Sequence, residues 1–127
     1  MDVYKTHGAF SWSELMTSDP AAAAAFYGPL FGWAVQTMEM GMGPYRVVKV
    51  GETSVGGIMG FPPGTPVMPP SWGCYVTVDN VDQTLARCTE LGGRVVMPAM
   101  DVPQVGRMAV LQDPQGAVLS VMQYAMA

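Results

Sequence analysis

Residues 18–33 read SDPAAAAAFYGPLFGW and predict a single helix with both ends marked. Ser18 or Asp19 supplies the N-cap oxygen, and Pro20 suits the first turn because its missing N–H is not needed there. Five alanines favour the helix interior, and a glycine after the apolar run is a C-terminal signal. The preceding run, FSWSELM at residues 10–16, alternates in the manner of a half-buried strand. The chain therefore opens with a strand, a capped helix and a glycine stop.

The same layout recurs 61 residues later. The strand WGCYVTV leads into DNVDQTLARCTELGGR, where Asp79 or Asn80 is the N-cap, and 61 residues separate position 19 from position 80. Three strand-like runs follow each helix: WAVQTMEM, YRVVKV and TSVGGIMGF in the first repeat, and RVVMP, GRMAVLQ and AVLSVMQYA in the second. The longer turn DPQG moves the offset to about 63 in the last strands. The sequence therefore predicts one α+β domain over 1–127, written as βαβββ twice. The first repeat spans about 8–61, a Pro-rich linker 62–70, and the second repeat about 71–124.

Three segments of the chain resemble the vicinal oxygen chelate superfamily, which includes glyoxalase I, bleomycin-resistance proteins, fosfomycin-resistance enzymes and extradiol dioxygenases. They are SDPAAAAAFYGPLFGW, VDNVDQTLARCTELGG and GRMAVLQDPQGAVLSVMQ. The FY-plus-FGW helix end and the DPxG turn are the most specific of these features, and the likeness extends over about residues 8–124. The resemblance implies two βαβββ modules whose curved mixed sheets enclose a cleft, often completed in a homodimer.

The same resemblance implies four metal-ligand positions, one in the first and one in the last strand of each repeat. In this sequence they fall on Trp12, Gly57, Gly73 and Ser120. None of these residues offers the imidazole or carboxylate that Ni, Zn, Fe or Mn requires. The single histidine, His7, precedes the first strand. We therefore expect no metal and no other cofactor, contrary to the usual metal-dependent activities of the family.

If Trp12 faces the cleft, the alternation of the first strand places Phe10, Glu14 and Met16 on the same face, and Ser11 and Ser13 under the helix. The repeat extends this face to Gly73, Tyr75 and Thr77. The predicted ligand-binding residues are Trp12, Glu14, Met59, Tyr75, Arg107, Ser120 and Met122, with Met16 beside them and Arg46 and Gln104 at the rim. The twelve methionines suit either an adaptable ligand surface or plain core filling.

Glu14, a carboxylate on an otherwise apolar strand face, admits three interpretations. It pairs with an arginine or a backbone amide as a structural acid, it binds a cationic or hydroxyl group of a ligand, or it acts as a general acid or base. In each case a partner is expected, because an unpaired buried charge is costly. Tyr75 is either a packed aromatic residue or a second proton carrier.

Composition limits the location and the partners. The formal net charge of −4, with six basic residues, leaves no cationic face for nucleic acid. The longest apolar run is interrupted by Gly and Pro, which argues against a membrane span, and no secretory signal precedes the first strand. Cys74 and Cys88 have no CxxC spacing and are predicted to be buried reduced thiols in a cytoplasmic protein. A disulfide or a reactive thiol is the alternative.

Three functions remain open at this point. The first is a binding protein that holds a small, aromatic organic molecule without a metal. The second is a metal-independent isomerase, epimerase, cyclase or glyoxalase-like lyase, in which Glu14, alone or with Tyr75, carries the proton. The third is a non-catalytic partner module whose own side chains fill the cleft. The sequence does not decide whether the protein is an enzyme.

Overall fold

The structure, a computed structural model, describes residues 1–39, 44–61, 64 and 68–125. Its strands and helices follow the predicted order. They are β1 (Phe10–Thr17), α1 (Pro20–Phe31), β2 (Ala34–Glu39), β3 (Pro44–Val50), β4 (Thr53–Gly60), β5 (Ser71–Thr77), α2 (Val81–Glu90), β6 (Arg94–Val102), β7 (Gly106–Gln112) and β8 (Val118–Tyr124).

The chain divides into two compact units: Trp12–Gly73 is the first unit, and Met1–Ser11 with Cys74–Ala127 is the second unit. Each carries the strand, helix and three strands of one predicted repeat, so the α+β fold of two βαβββ modules is confirmed. The N-terminal residues belong to the second unit because Thr77 fastens them. Its amide donates to the Ala9 carbonyl and its hydroxyl donates to the Val3 carbonyl.

The sheet of the first unit is mixed. β1 pairs with β4 in parallel, whereas β4 pairs with β3 and β3 with β2 in antiparallel fashion. Leu15, Val48 and Ile58 form its core, and Ala23 and Ala24 of α1 pack against them. Because Leu15 faces α1, the alternation of β1 turns Trp12, Glu14 and Met16 away from the helix, as predicted.

The two ends of α1 are held as the sequence predicts. The side chain of Asp19, rather than Ser18, accepts from the Ala22 amide at 3.0 Å, and Gly32 ends the helix with a φ of 72°. Tyr27 and Trp33 stack with ring centroids 5.9 Å apart and pack against the core. The FY-plus-FGW segment therefore fixes where the helix ends and the second strand begins.

The second unit repeats this arrangement, with β5 parallel to β8 and both β8–β7 and β7–β6 antiparallel. Asn80, rather than Asp79, caps α2 by accepting from the Gln83 amide at 2.9 Å. The last residue of α2 is Glu90, and β6 continues to Val102, beyond the predicted RVVMP run. Pro98 is accommodated there because the β6–β7 register shifts on both sides of Met97.

The predicted burial of the cysteines is wrong, because Cys74 is exposed and Cys88 is half-buried; both are free thiols, as predicted. Most of the predicted linker 62–70 and residues 41–43 of the GMGP turn lie outside the described residues. Across the described ranges, both helices are too short or too polar to cross a membrane.

Candidate functional site

The α1-distal face, which is the sheet face of the first unit turned away from α1, carries the predicted acid. Glu14 pairs in register with Gly57, and Gly57 pairs with Val47 on its other side. Directly opposite residues of neighbouring strands share a face. The register therefore assigns to this face Trp12, Glu14, Met16, Ala34, Gln36, Met38, Tyr45, Val47, Lys49, Gly57 and Met59.

Three side chains on the α1-distal face form a hydrogen-bonded relay. The indole Nε1–H of Trp12 donates to the hydroxyl of Tyr45 at 3.0 Å, and that hydroxyl donates to Oε2 of Glu14 at 2.6 Å. Both bonds are partly buried, and the second has the short length typical of a bond to a charged acceptor. The partner expected for Glu14 therefore exists, and it is a tyrosine.

The relay spans two strand spacings, because β4 lies between the strand of Tyr45 and the strand of Glu14. Neighbouring strands are about 4.8 Å apart, so the side chains of Tyr45 and Glu14 together bridge about 10 Å of the sheet. The Tyr45 side chain extends over β4 at Gly57. A Cβ added at Gly57 would collide with the Tyr45 hydroxyl, and even the ring carbon Cε1 would be only 2.6 Å away.

The two cations of the first unit lie on opposite faces of its sheet. The only cations between residues 12 and 73 are Arg46 and Lys49. Arg46 pairs in register with Ile58 of the core and so lies on the α1 side. Lys49 alternates with the core residue Val48 and pairs with Ala34, so it lies on the α1-distal face. The predicted rim position of Arg46 is therefore on the opposite face from Glu14. The face presents a carboxylate and a tyrosyl oxygen that both accept hydrogen bonds, among apolar and thioether side chains.

The second unit has an equivalent α2-distal face, on the side of its sheet away from α2. Tyr75 pairs with Ser120 as Glu14 pairs with Gly57, which confirms offsets of 61 and 63 residues. Tyr75 is buried at 6% exposure, and its hydroxyl lies 4.0 Å from the sulfur of Met108. Met122, another predicted residue, lies on this face beside Met108 in register.

Methionine is concentrated on these two faces. All methionines within the described strands lie there: Met16, Met38, Met59, Met97, Met100, Met108 and Met122. The core clusters under the helices are built instead from Leu, Ile, Val and Ala with aromatic residues. The strand methionines therefore form a flexible, polarisable surface rather than filling the cores under the helices.

Arg107, a predicted ligand-binding residue, lies apart from the others. Its register places it on the α2 side, where its guanidinium donates to both carboxylate oxygens of Asp82 at 3.0 Å and to Asp101 at 3.0 Å. The hydrogen bond from Arg107 holds the pKa of Asp82 below its usual value. Gln104 lies in the exposed turn before β7, with a φ of 66°.

The four positions where the resemblance implies metal ligands do not suit a metal ion. The indole nitrogen of Trp12 donates to Tyr45, Gly57 lies beneath the tyrosine, and Gly73 has no side chain. Ser120 offers only a hydroxyl. Among the residues that the structure describes, no three His, Cys, Asp or Glu side chains converge.

Tyr45 is the functional candidate that the sequence did not reveal. Its run, PYRVVKV, indicates a strand, but the partner of its side chain depends on which strand separates β3 from β1. The sequence held only an indirect signal for this contact. The first repeat contains a tyrosine in one strand, an acid in another and two neighbouring glycines, Gly56 and Gly57, in the strand that lies between them.

Comparison with known proteins is consistent with this architecture. The family model described as the Glyoxalase/Bleomycin resistance protein/Dioxygenase superfamily matches residues 9–121. The chain belongs to this superfamily. Over 119 residues it is 44% identical to a Mycobacterium tuberculosis protein named "Putative glyoxylase CFP32", a match that covers 93% of this chain and 45% of that protein. It is 35% identical over 127 aligned residues to the anthracycline biosynthesis protein DnrV of Streptomyces peucetius, covering 90% and 46%.

The chain thus spans less than half the length of these curated relatives. Among solved structures, methylmalonyl-CoA epimerase from Mycobacterium tuberculosis superposes with a TM-score of 0.68 at 16% identity, covering 94% of this chain and 89% of the epimerase. An extradiol ring-cleaving dioxygenase from B. fuscum gives 0.65 at 20% identity, covering 92% and 32%. At these identities the superpositions establish the superfamily fold alone.

Proposed function

We propose that the protein binds a small, aromatic organic molecule without a metal, and that the Glu14–Tyr45 pair on the α1-distal face is its polar contact. The observation that carries the proposal is the relay from Trp12 through Tyr45 to Glu14. Ligand sites are mostly apolar with a few placed polar groups. An indole, two neighbouring methionines and one oriented carboxylate fit that description.

The charge of the face indicates the class of ligand. With the Glu14 carboxylate and the Tyr45 oxygen as acceptors joined in the relay, the face favours a ligand that donates hydrogen bonds or carries positive charge. A carboxylate or phosphate ligand would meet Glu14 with the same sign of charge. We therefore propose an aromatic amine or phenol rather than an aromatic acid.

The family supports this class without naming the ligand. The superfamily includes bleomycin-resistance proteins by its description, and one relative is named for anthracycline biosynthesis. Anthracyclines are planar aromatic compounds with hydroxyl groups, and thioethers contact aromatic rings favourably. A planar hydroxylated ring system is therefore a suitable first ligand to test.

A matched probe pair tests both the binding and the charge preference. We expect 1-naphthylmethylamine to raise Tm in buffer containing EDTA and 1-naphthoate to have little effect. Glu14→Gln should weaken amine binding about tenfold, the equivalent of roughly 1.4 kcal/mol. Glu39→Gln, which removes an exposed carboxylate from the same unit, should leave binding unchanged. Equal binding of the acid, or loss of binding in EDTA, would contradict the proposal.

The second candidate function is metal-independent proton transfer, and the 2.6 Å bond between Tyr45 and Glu14 favours it. Such a short bond allows a proton to be held between a phenol and a carboxylate beside a bound substrate. Isomerisation, epimerisation, cyclisation or glyoxalase-like lyase chemistry would each use that transfer. Once a substrate is known, full turnover by Glu14→Gln would exclude Glu14 as the proton carrier.

We also propose that the protein acts as a cytoplasmic homodimer without nucleic-acid or membrane partners. The free thiols of Cys74 and Cys88 and the net charge of −4 support this environment. Because the curated relatives are about twice as long, a pair of these chains would match them in length. Light scattering on the purified chain should give a mass near twice 13.5 kDa, and a monomer mass would refute the dimer.

A further inference from the structure

We infer that Gly57 is a positioning residue of this site: by carrying no side chain, it lets Tyr45 cross β4 and hold Glu14 from two strands away. The role of Gly57 in ligand binding rests on the proposed function. The close approach of Tyr45 to Gly57 does not depend on that function. This inference assigns a role to a residue that itself offers no chemical group.

The glycine pair in β4 serves two different close approaches. A Cβ at Gly56 would lie 2.6 Å from the Ser13 carbonyl oxygen of the neighbouring strand, so Gly56 allows the backbones to pair. The three atoms nearest to a Cβ at Gly57 instead all belong to the side chain of Tyr45: its hydroxyl, Cζ and Cε1. The tyrosine therefore requires a glycine at position 57.

The second unit shows the same position with a side chain present. Ser120 lies between Tyr75 and Met108 as Gly57 lies between Glu14 and Tyr45. There the tyrosine is on the parallel strand, and its hydroxyl is 4.0 Å from a thioether sulfur, a weak acceptor. In the unit with glycine at this position, the phenol of Tyr45 is joined to the carboxylate of Glu14.

The position of Tyr45 over Gly57 also bears on whether a metal ligand could occupy position 57. The resemblance implies that metal-dependent relatives carry a ligand side chain at position 57, and no side chain fits there while Tyr45 crosses β4. The tyrosyl hydroxyl thus contacts Glu14 above the position where a ligand side chain would begin. A glycine at this position and the relay therefore form one structural feature.

The test is a double-mutant cycle between Gly57→Ala and Tyr45→Ala, with Gly73→Ala as the matched control. A Cβ at Gly73 meets nothing closer than 3.9 Å, so the control adds the same methyl group without a collision. The readouts are Tm and the indole ¹H–¹⁵N resonance of Trp12, assigned with Trp12→Phe. That resonance responds directly to the hydrogen bond from the Trp12 indole to the Tyr45 hydroxyl. If Gly57 affected only overall stability, its substitution would not shift this resonance selectively.

We expect Gly57→Ala to shift the Trp12 resonance and to lower Tm by roughly 5–10 °C, through overpacking. In the Tyr45→Ala background the same substitution should leave Tm unchanged or raise it slightly, because alanine restricts the unfolded chain. If Gly57→Ala alone fails to fold and the double variant folds, the inference is supported. An equal loss of Tm in both backgrounds, or an unmoved Trp12 resonance, would overturn it.

Probe binding separates this inference from the proposed function. If 1-naphthylmethylamine binds the wild-type protein, Gly57→Ala should weaken that binding at least as much as Tyr45→Phe does. If neither naphthyl probe binds the wild-type protein, the proposed function fails. The thermal and resonance cycle still decides whether Gly57 positions Tyr45.

Discussion

Removing one hydroxyl group at Tyr45 should destabilise the first unit more than its small size suggests. Tyr45→Phe keeps the ring over Gly57 but deletes the donor to Glu14 and the acceptor for Trp12. A hydrogen bond to a charged group contributes about 1.5–3 kcal/mol and a neutral one about 1 kcal/mol. Since Glu14 is only half-buried, we take the lower end and expect a loss of about 2 kcal/mol.

Urea unfolding followed by circular dichroism measures this loss, with an unchanged m-value showing that the unfolded state is the same. For a chain of this length, about 2 kcal/mol corresponds to a fall in Tm of roughly 6–10 °C. The matched control is Tyr27→Phe, which deletes an exposed hydroxyl that accepts from Trp72 at 3.3 Å and should cost little. In combination with Glu14→Gln, the two losses should be less than additive by about 1 kcal/mol. Additive losses, or a Tyr45→Phe as mild as Tyr27→Phe, would refute the relay.

Three further predictions concern the second unit. Asn80→Ala deletes the N-cap of α2 and should cost about 1 kcal/mol in thermal or urea unfolding, whereas Asn80→Asp should be nearly neutral. Because the bond from Arg107 lowers the pKa of folded Asp82, that stabilisation is present at neutral pH and disappears as pH falls through the folded pKa. Wild-type and Asp82→Asn stabilities should therefore differ slightly at pH 7 and converge in acid, once pH has fallen below the lowered pKa of Asp82; a constant gap would contradict this. A Cβ at Gly106 would collide with the Gln123 carbonyl oxygen, so Gly106→Ala should lower stability by about 2 kcal/mol or more, and a change under 0.5 kcal/mol would contradict the reported backbone.

Much of the local structure followed from the sequence because its signals are local. Side-chain oxygens at Asp19 and Asn80 satisfy amides three residues away, and glycine after α1 adopts a positive φ. Alternation in β1 placed Trp12 and Glu14 on one face because successive strand residues point to opposite sides. The repeat at an offset of 61 then implied the second unit without further information.

The chemical character of the site was decided only by tertiary structure. Glu14 and Tyr45 are 31 residues apart, and their hydrogen bond exists because β4 inserts between β3 and β1 with a glycine at the crossing point. The pairing order of the strands is set by long-range backbone contacts, which leave no periodic trace in the sequence. The same reason separates Arg107 from the other predicted residues. Its place in the sequence suggested the ligand side, but the register of β7 turns it toward α2 and Asp82.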